Sequence, residues 1–192
     1  MLMFLPMAFV GTMVHEAGHL VVAEALGYET SLHYGSVAWW PGTERPIPDS
    51  QMIAVSLGGP MTNMLVGTIG LIWLLRLRRR AESTEPLGAR GWMATLLSLF
   101  WSRQLFNAAS ALHLVVTSGE WGNSDEVRLA EHFRLHSGSL SLFTGLVALL
   151  VCVTVVIQMP RGKTLPWLAG GMLGSLVGFA VWYGYFGPRV LP

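Results

Sequence analysis

The chain has 192 residues, of which 52% are hydrophobic and only 12% charged, against about 25% charged in an ordinary soluble domain. That balance argues against a soluble fold, and several apolar runs reach the roughly 20 residues a helix needs to cross a bilayer. The net charge of +1 comes without a basic-aromatic patch that would suit nucleic acid, and the single Cys152, in an apolar run, excludes an internal disulfide and a Cys-based zinc site.

The first apolar segment lacks the positive n-region of a signal peptide, and Leu2 to Val14 runs into His15-Glu16 rather than a small-residue cleavage site. It is expected to remain as a transmembrane helix over about Leu2 to Leu26, ended by Gly27. His15, Glu16, His19 and Glu24 lie within it and would be costly against lipid, so they are expected to face a bundle interior or a water-filled cavity. From Tyr28 to Ser50 the hydrophobicity falls, and Pro41, Gly42, Pro46 and Pro48 interrupt it. Leu32 to Trp40 reads as a short strand or hairpin, with Trp39 and Trp40 at the membrane interface.

A second span is expected over Met52 to Leu75, closed by Arg76-Leu77-Arg78-Arg79-Arg80, a topology anchor suited to anionic lipid. The polar stretch Ala81 to Arg90 leads to a third span, Gly91 to Thr117, and a polar segment, Ser118 to Ser137. The fourth span covers Leu140 to Gln158, followed by a tight turn at Met159 to Lys163 and a fifth span, Leu165 to Phe186. Glycines inside these spans, such as Gly70, Gly145, Gly174 and Gly178, suit close helix packing in lipid. The expected fold is an all-α polytopic membrane protein with five transmembrane helices and a short hairpin between the first two, making one integral domain over residues 1–192.

Lys/Arg asymmetry orients it. One side collects Arg76, Arg78, Arg79, Arg80, Arg90, Arg161 and Lys163; the other holds Arg45, Arg128, Arg134 and Arg189. The first side is expected to be cytoplasmic, which places the N terminus inside and the C terminus outside.

The chemistry is concentrated in His15-Glu16-Ala17-Gly18-His19. On a helix, HExxH is a zinc-hydrolase signature. The two histidines sit one turn apart, about 40° around the axis at roughly 100° per residue, so both can reach one metal with Glu16 beside them. A catalytic zinc typically takes three protein ligands and a water. The third ligand must come from elsewhere, and Glu24, Asp49, His113, Asp125, Glu126, His132 and His136 are the candidates. Glu24 lies about 140° around the helix from His19 and points away. Asp125 is preferred: it opens Asp125-Glu126 on the side of the membrane where the first helix ends, while also suiting the start of a helix over Val127 to Glu131. His132 and His136, at i,i+4 spacing, read as surface helix residues.

Three features resemble the site-2 protease family of intramembrane zinc metalloproteases. They are the HEAGH motif in the first span, Gly58-Gly59-Pro60-Met61-Thr62-Asn63 in the second, and the Asp-bearing segment after the third. The second is similar to the family's Gly-Pro-x-x-Asn pattern. The third stands where the family places its Asp ligand, usually within Asn-x-x-Pro-x-x-x-x-Asp-Gly. Here Glu126 follows Asp125, the Asn-Pro pattern is absent, and Asn107 is the remnant of that Asn. The resemblance covers about residues 8 to 130, and the regulatory domains often attached to this family are not expected within these 192 residues.

The resemblance implies one Zn²⁺ per chain, held by His15, His19 and Asp125, with Glu16 as general base. It implies a membrane-protein substrate cleaved within a transmembrane segment, in a multi-pass setting expected to be a prokaryotic cell membrane. Asn63 and Asn107 are expected to line the substrate path, and Gln104 to act as interhelical hydrogen-bonding glue. Pro60 would loosen the second helix near the metal, and Gly18 leaves a gap for substrate backbone or for a packed helix. Ser139 and Ser175 lack a Gly-x-Ser-x-Gly elbow, so a serine mechanism has no motif. Two other functions share this fold: a membrane metal-binding or transport protein, which could tolerate Glu16→Gln, and an inactive family member serving as a membrane scaffold.

Overall fold

The computed structural model describes residues 4–41, 46–80, 87–159 and 164–191. Arg45, Arg161 and Lys163, used in the orientation argument, and most of the expected turn at 159–163 lie outside them. The described chain is mostly helical, with one antiparallel hairpin. It divides into two compact units, residues 1–62 with 162–192 and residues 63–161, and the division falls inside one long helix.

The first unit begins with α1 (Leu5–Ala25), where Pro6 occupies the first turn and has no N–H to leave unsatisfied. The helix ends because Gly27 takes a left-handed conformation (φ +83°) that a glycine adopts without strain. Tyr28 then turns back, its N–H donating to Ala23 O at 3.0 Å. Strands β1 (Glu29–His33) and β2 (Ser36–Trp40) follow as a hairpin in the register Glu29 opposite Trp40 through His33 opposite Ser36. Tyr34 and Gly35 form its two-residue turn, and Trp40 Nε1 donates to Glu29 Oε2 across the strands at 3.0 Å.

The hairpin is held at both ends. Tyr28 donates its hydroxyl hydrogen bond to Gln51 Oε1 on α2 (Asp49–Arg80), and its ring packs on Trp39. At the tip, Trp182 Nε1 donates to Tyr34 O at 2.7 Å, and Tyr34 N–H donates to Leu191 O at 3.1 Å. Those partners come from the last segment of the chain, where α7 (Thr164–Val181) passes into a π-helical turn at Trp182–Phe186 and then α8 (Gly187–Val190). α7 packs along α1, with Phe4 edge-on to Trp167 and Phe9 against Trp182.

The second unit contains the remainder of α2, α3 (Ala89–Ser98), α4 (Ser102–Ser118), α5 (Asp125–His132) and α6 (Ser139–Ile157). α4 and α6 pack closely, because Gly145 leaves no room for a side chain beside Ala108. α5 lies on α6 and buries Val127, Leu129 and Ala130.

Asp49–Arg79, Ser139–Ile157 and Thr164–Val190 are long and apolar enough to cross a membrane. They correspond to the second, fourth and fifth expected spans. α1 has the length, but its two histidines and two glutamates lower its apolar character. The third expected span is two helices joined by a 3₁₀ turn at Leu99–Trp101. Just before that turn, Thr95 Oγ1 donates to Gly91 O and Ser98 Oγ to Ala94 O, at 2.8 and 2.7 Å. Such back-bonding draws carbonyls away from the helical ladder and bends helices. α2 starts three residues before the expected span and continues through the arginines, which are good helix formers.

Candidate metal centre

His15, Glu16 and His19 are all buried, at 2%, 4% and 8% exposure, although they are among the most polar residues of α1. The one-turn spacing brings His15 Nε2 and His19 Nε2 to 3.2 Å. Two ligands of a tetrahedral zinc with bonds of about 2.0–2.1 Å are separated by roughly 3.3 Å. The pair already has the spacing of one edge of such a site.

The tautomer fits as well. His19 Nδ1 lies 2.6 Å from Val55 O on α2, and a carbonyl oxygen can only accept. Nδ1 therefore carries the proton and donates, which leaves the Nε2 lone pair directed at His15. Donation from a ligating histidine's second nitrogen to a carbonyl is the usual way its ring is oriented and its basicity raised. Gly59 N–H, 3.4 Å from the same Nδ1, is then a neighbour rather than its donor.

Small residues let α2 approach. Gly18 and Gly58 meet backbone to backbone: a Cβ on Gly18 would run into Gly58 O and approach Thr62 Oγ1 to 2.6 Å. One residue further, a Cβ on Gly59 would strike His19 Nε2 and come within 2.7 Å of His15 Nε2. Gly59 thus borders both Nε2 atoms. Of the two readings of Gly18, helix packing is the one the geometry carries. Pro60 brings no N–H for Ser56 O, so the α2 ladder is interrupted beside the histidines.

Asn63 follows on α2 and is completely buried. Asp125 is the first residue of α5 and is half-buried. The N-cap is its neighbour Ser124, whose Oγ accepts from Val127 N–H at 3.4 Å. Asn107, expected on the substrate path, donates through Nδ2 to both oxygens of Glu126, at 3.1 and 3.3 Å.

The other third-ligand candidates lie elsewhere. Glu24 is exposed and accepts from Thr30 Oγ1 at 3.0 Å. Asp49, His113, His132 and His136 are exposed. His132 is the last residue of α5, whereas His136 lies beyond it, because Phe133 caps the helix and Arg134 turns left-handed (φ +56°). The i,i+4 pair is therefore exposed as expected but does not share a helix.

Two contributors carried no signal of their own in the sequence. Val55 acts through its carbonyl, which any residue possesses. Gly59 stood inside a recognised Gly-Gly-Pro run, but its contact with the histidines depends on how the helices cross. No family model matches the chain, and neither a curated protein nor a solved structure does.

Proposed function

We propose that this chain is a zinc-dependent intramembrane endopeptidase of the site-2 protease type. One observation carries the reading: two buried histidines, one turn apart, converge at 3.2 Å with the tautomer of His19 set by Val55 O. His15, His19 and Asp125 are the proposed ligands of one Zn²⁺. When bound, zinc supplies Lewis acidity that polarises a carbonyl and acidifies water.

Glu16 is the proposed general base. It follows His15 on α1, about 100° further around the helix, and is buried with both histidines. It takes a proton from the attacking water and returns it to the departing amine. Asn63, buried one turn past Gly59, is proposed to hydrogen-bond the substrate backbone. The substrate is a transmembrane segment of another protein. Its carbonyls are hidden in helical hydrogen bonds until a stretch is extended, and a free strand edge of the hairpin is suited to hold such a stretch. In this reading five segments cross a prokaryotic cell membrane, with the N terminus cytoplasmic.

The test is zinc content and proteolysis measured together on detergent-purified protein. About one zinc per chain is expected in the wild type, lost in His19→Ala and Asp125→Ala. Glu16→Gln should keep its zinc but lose cleavage of a reconstituted transmembrane substrate by about 10²-fold or more. A well-folded wild type that takes up no zinc refutes the reading and favours an inactive scaffold. A Glu16→Gln variant that retains full function points to metal binding or transport instead.

A further inference from the structure

We propose that the Asn107–Glu126 pair is a positioning device that fixes the direction in which Asp125 presents its carboxylate. The inference rests on the reading of Asp125 as a metal ligand and assigns a role to the buried acid beside it.

Glu126 is 3% exposed, a carboxylate enclosed within the second unit. Burying such a group is unfavourable unless its oxygens are hydrogen-bonded. Asn107 Nδ2 on α4 reaches both of them, at 3.1 and 3.3 Å. Gln104, one turn earlier on α4 and completely buried, places Oε1 3.5 Å from the same nitrogen. The start of α5 adds favourable N-terminal dipoles for the negative charge.

Such an arrangement suits a directional anchor better than a packing contact. α5 has eight residues, and helices below about 12 residues do not hold their shape alone. Val127, Leu129 and Ala130 bury its body against the unit. Apolar contacts of that kind tolerate small rotations and slides, because they are non-directional. A carboxylate receiving a hydrogen bond on each oxygen does not.

Adjacent helical residues diverge by roughly 100°. With Glu126 fixed inward on Asn107, Asp125 leaves the helix about 100° around the axis from it and is half-buried. Rotation about the α5 axis would carry both side chains together, so holding one holds the other. A metal site requires its ligand atoms within about 0.2 Å of their places, and a mobile helix start cannot supply that.

The experiment uses the full chain in detergent and three readouts: zinc affinity by chelator competition, the visible spectrum of the cobalt-substituted protein, and the melting temperature of the zinc-free protein. Glu126→Ala and Asn107→Ala should each weaken zinc binding about 10- to 100-fold and alter the cobalt bands. The double variant should be no worse than either single one. Glu126→Gln keeps one oxygen that can accept from Asn107 but sets its NH2 against the Asn107 donor, so it should bind zinc more tightly than Glu126→Ala and recover part of the spectrum.

Wild-type zinc affinity in Glu126→Ala and Asn107→Ala, with binding lost in Asp125→Ala, overturns the positioning role and leaves the ligand reading standing. Wild-type affinity in Asp125→Ala removes both. Weakened zinc binding that merely follows a lower zinc-free melting temperature, with cobalt bands unchanged in the folded fraction, reduces the pair to an ordinary structural contact and also overturns the proposal.

Discussion

Replacing Gly59 by alanine adds one methyl group at the place where the two imidazoles converge. The new Cβ would strike His19 Nε2 and lie 2.7 Å from His15 Nε2, whereas ordinary contact begins at 3.4 Å. His15 Nε2 must withdraw by about 0.7 Å, more than three times the roughly 0.2 Å that a metal site tolerates. His19 cannot yield easily, since its Nδ1 is held 2.6 Å from Val55 O. Zinc affinity should therefore fall by at least the 10- to 100-fold typical of disturbing a ligand's support.

The fold should survive this change. Alanine is favoured over glycine inside a helix by about 1 kcal/mol, which works against the clash, and the new Cβ meets side-chain ring atoms rather than backbone. The assay is chelator competition on detergent-purified protein, with thermal unfolding of the zinc-free form beside it. Gly11→Ala, on the same helix as the histidines with nothing within 4 Å of its new Cβ, is the control and should bind zinc like wild type. If Gly59→Ala bound zinc as tightly as Gly11→Ala, the metal would not lie at the two Nε2 atoms, and the site would need to be redrawn.

Gly18→Ala should act differently, because its Cβ meets the Gly58 backbone as well as Thr62 Oγ1. Overpacking of that kind typically costs about 1–3 kcal/mol, so thermal unfolding should shift downward in the zinc-free protein too; an unchanged midpoint would contradict the close approach of α1 and α2. Trp182→Phe removes the donor to Tyr34 O while keeping most of the aromatic packing. It should loosen the hairpin tip by about 1 kcal/mol, seen as faster amide exchange over Tyr34 to Val37 with zinc affinity intact. Equal exchange in the two proteins would mean that the C-terminal segment does not hold the hairpin.

Much of the fold was legible because the signals were local. Apolar runs of spanning length located α2, α6 and α7, and Gly27 ended α1 for the reason its left-handed φ requires. The fall in hydrophobicity after Tyr28 pointed to the hairpin, although β1 begins at Glu29, three residues before the expected Leu32; its latch on Trp182 joins residues 148 apart in the chain. The break between α3 and α4 has no counterpart in the apolar pattern, which runs on through Leu99-Phe100-Trp101.

At the site, the sequence by itself determined the helical pairing of His15 with His19 and the adjacent Glu16, since i,i+4 spacing needs nothing beyond helical geometry. Tertiary structure decided the rest. The proton on His19 Nδ1 is fixed by a carbonyl 36 residues away. The space beside Nε2 exists because Gly59 faces it, and Glu126 is an anchor rather than a free acid because α4 brings Asn107 to it. Each of these depends on backbone atoms or side-chain directions set by how helices cross. A linear pattern names the residues able to do the chemistry; packing assigns the nitrogen, the close approach and the neighbour that make it possible.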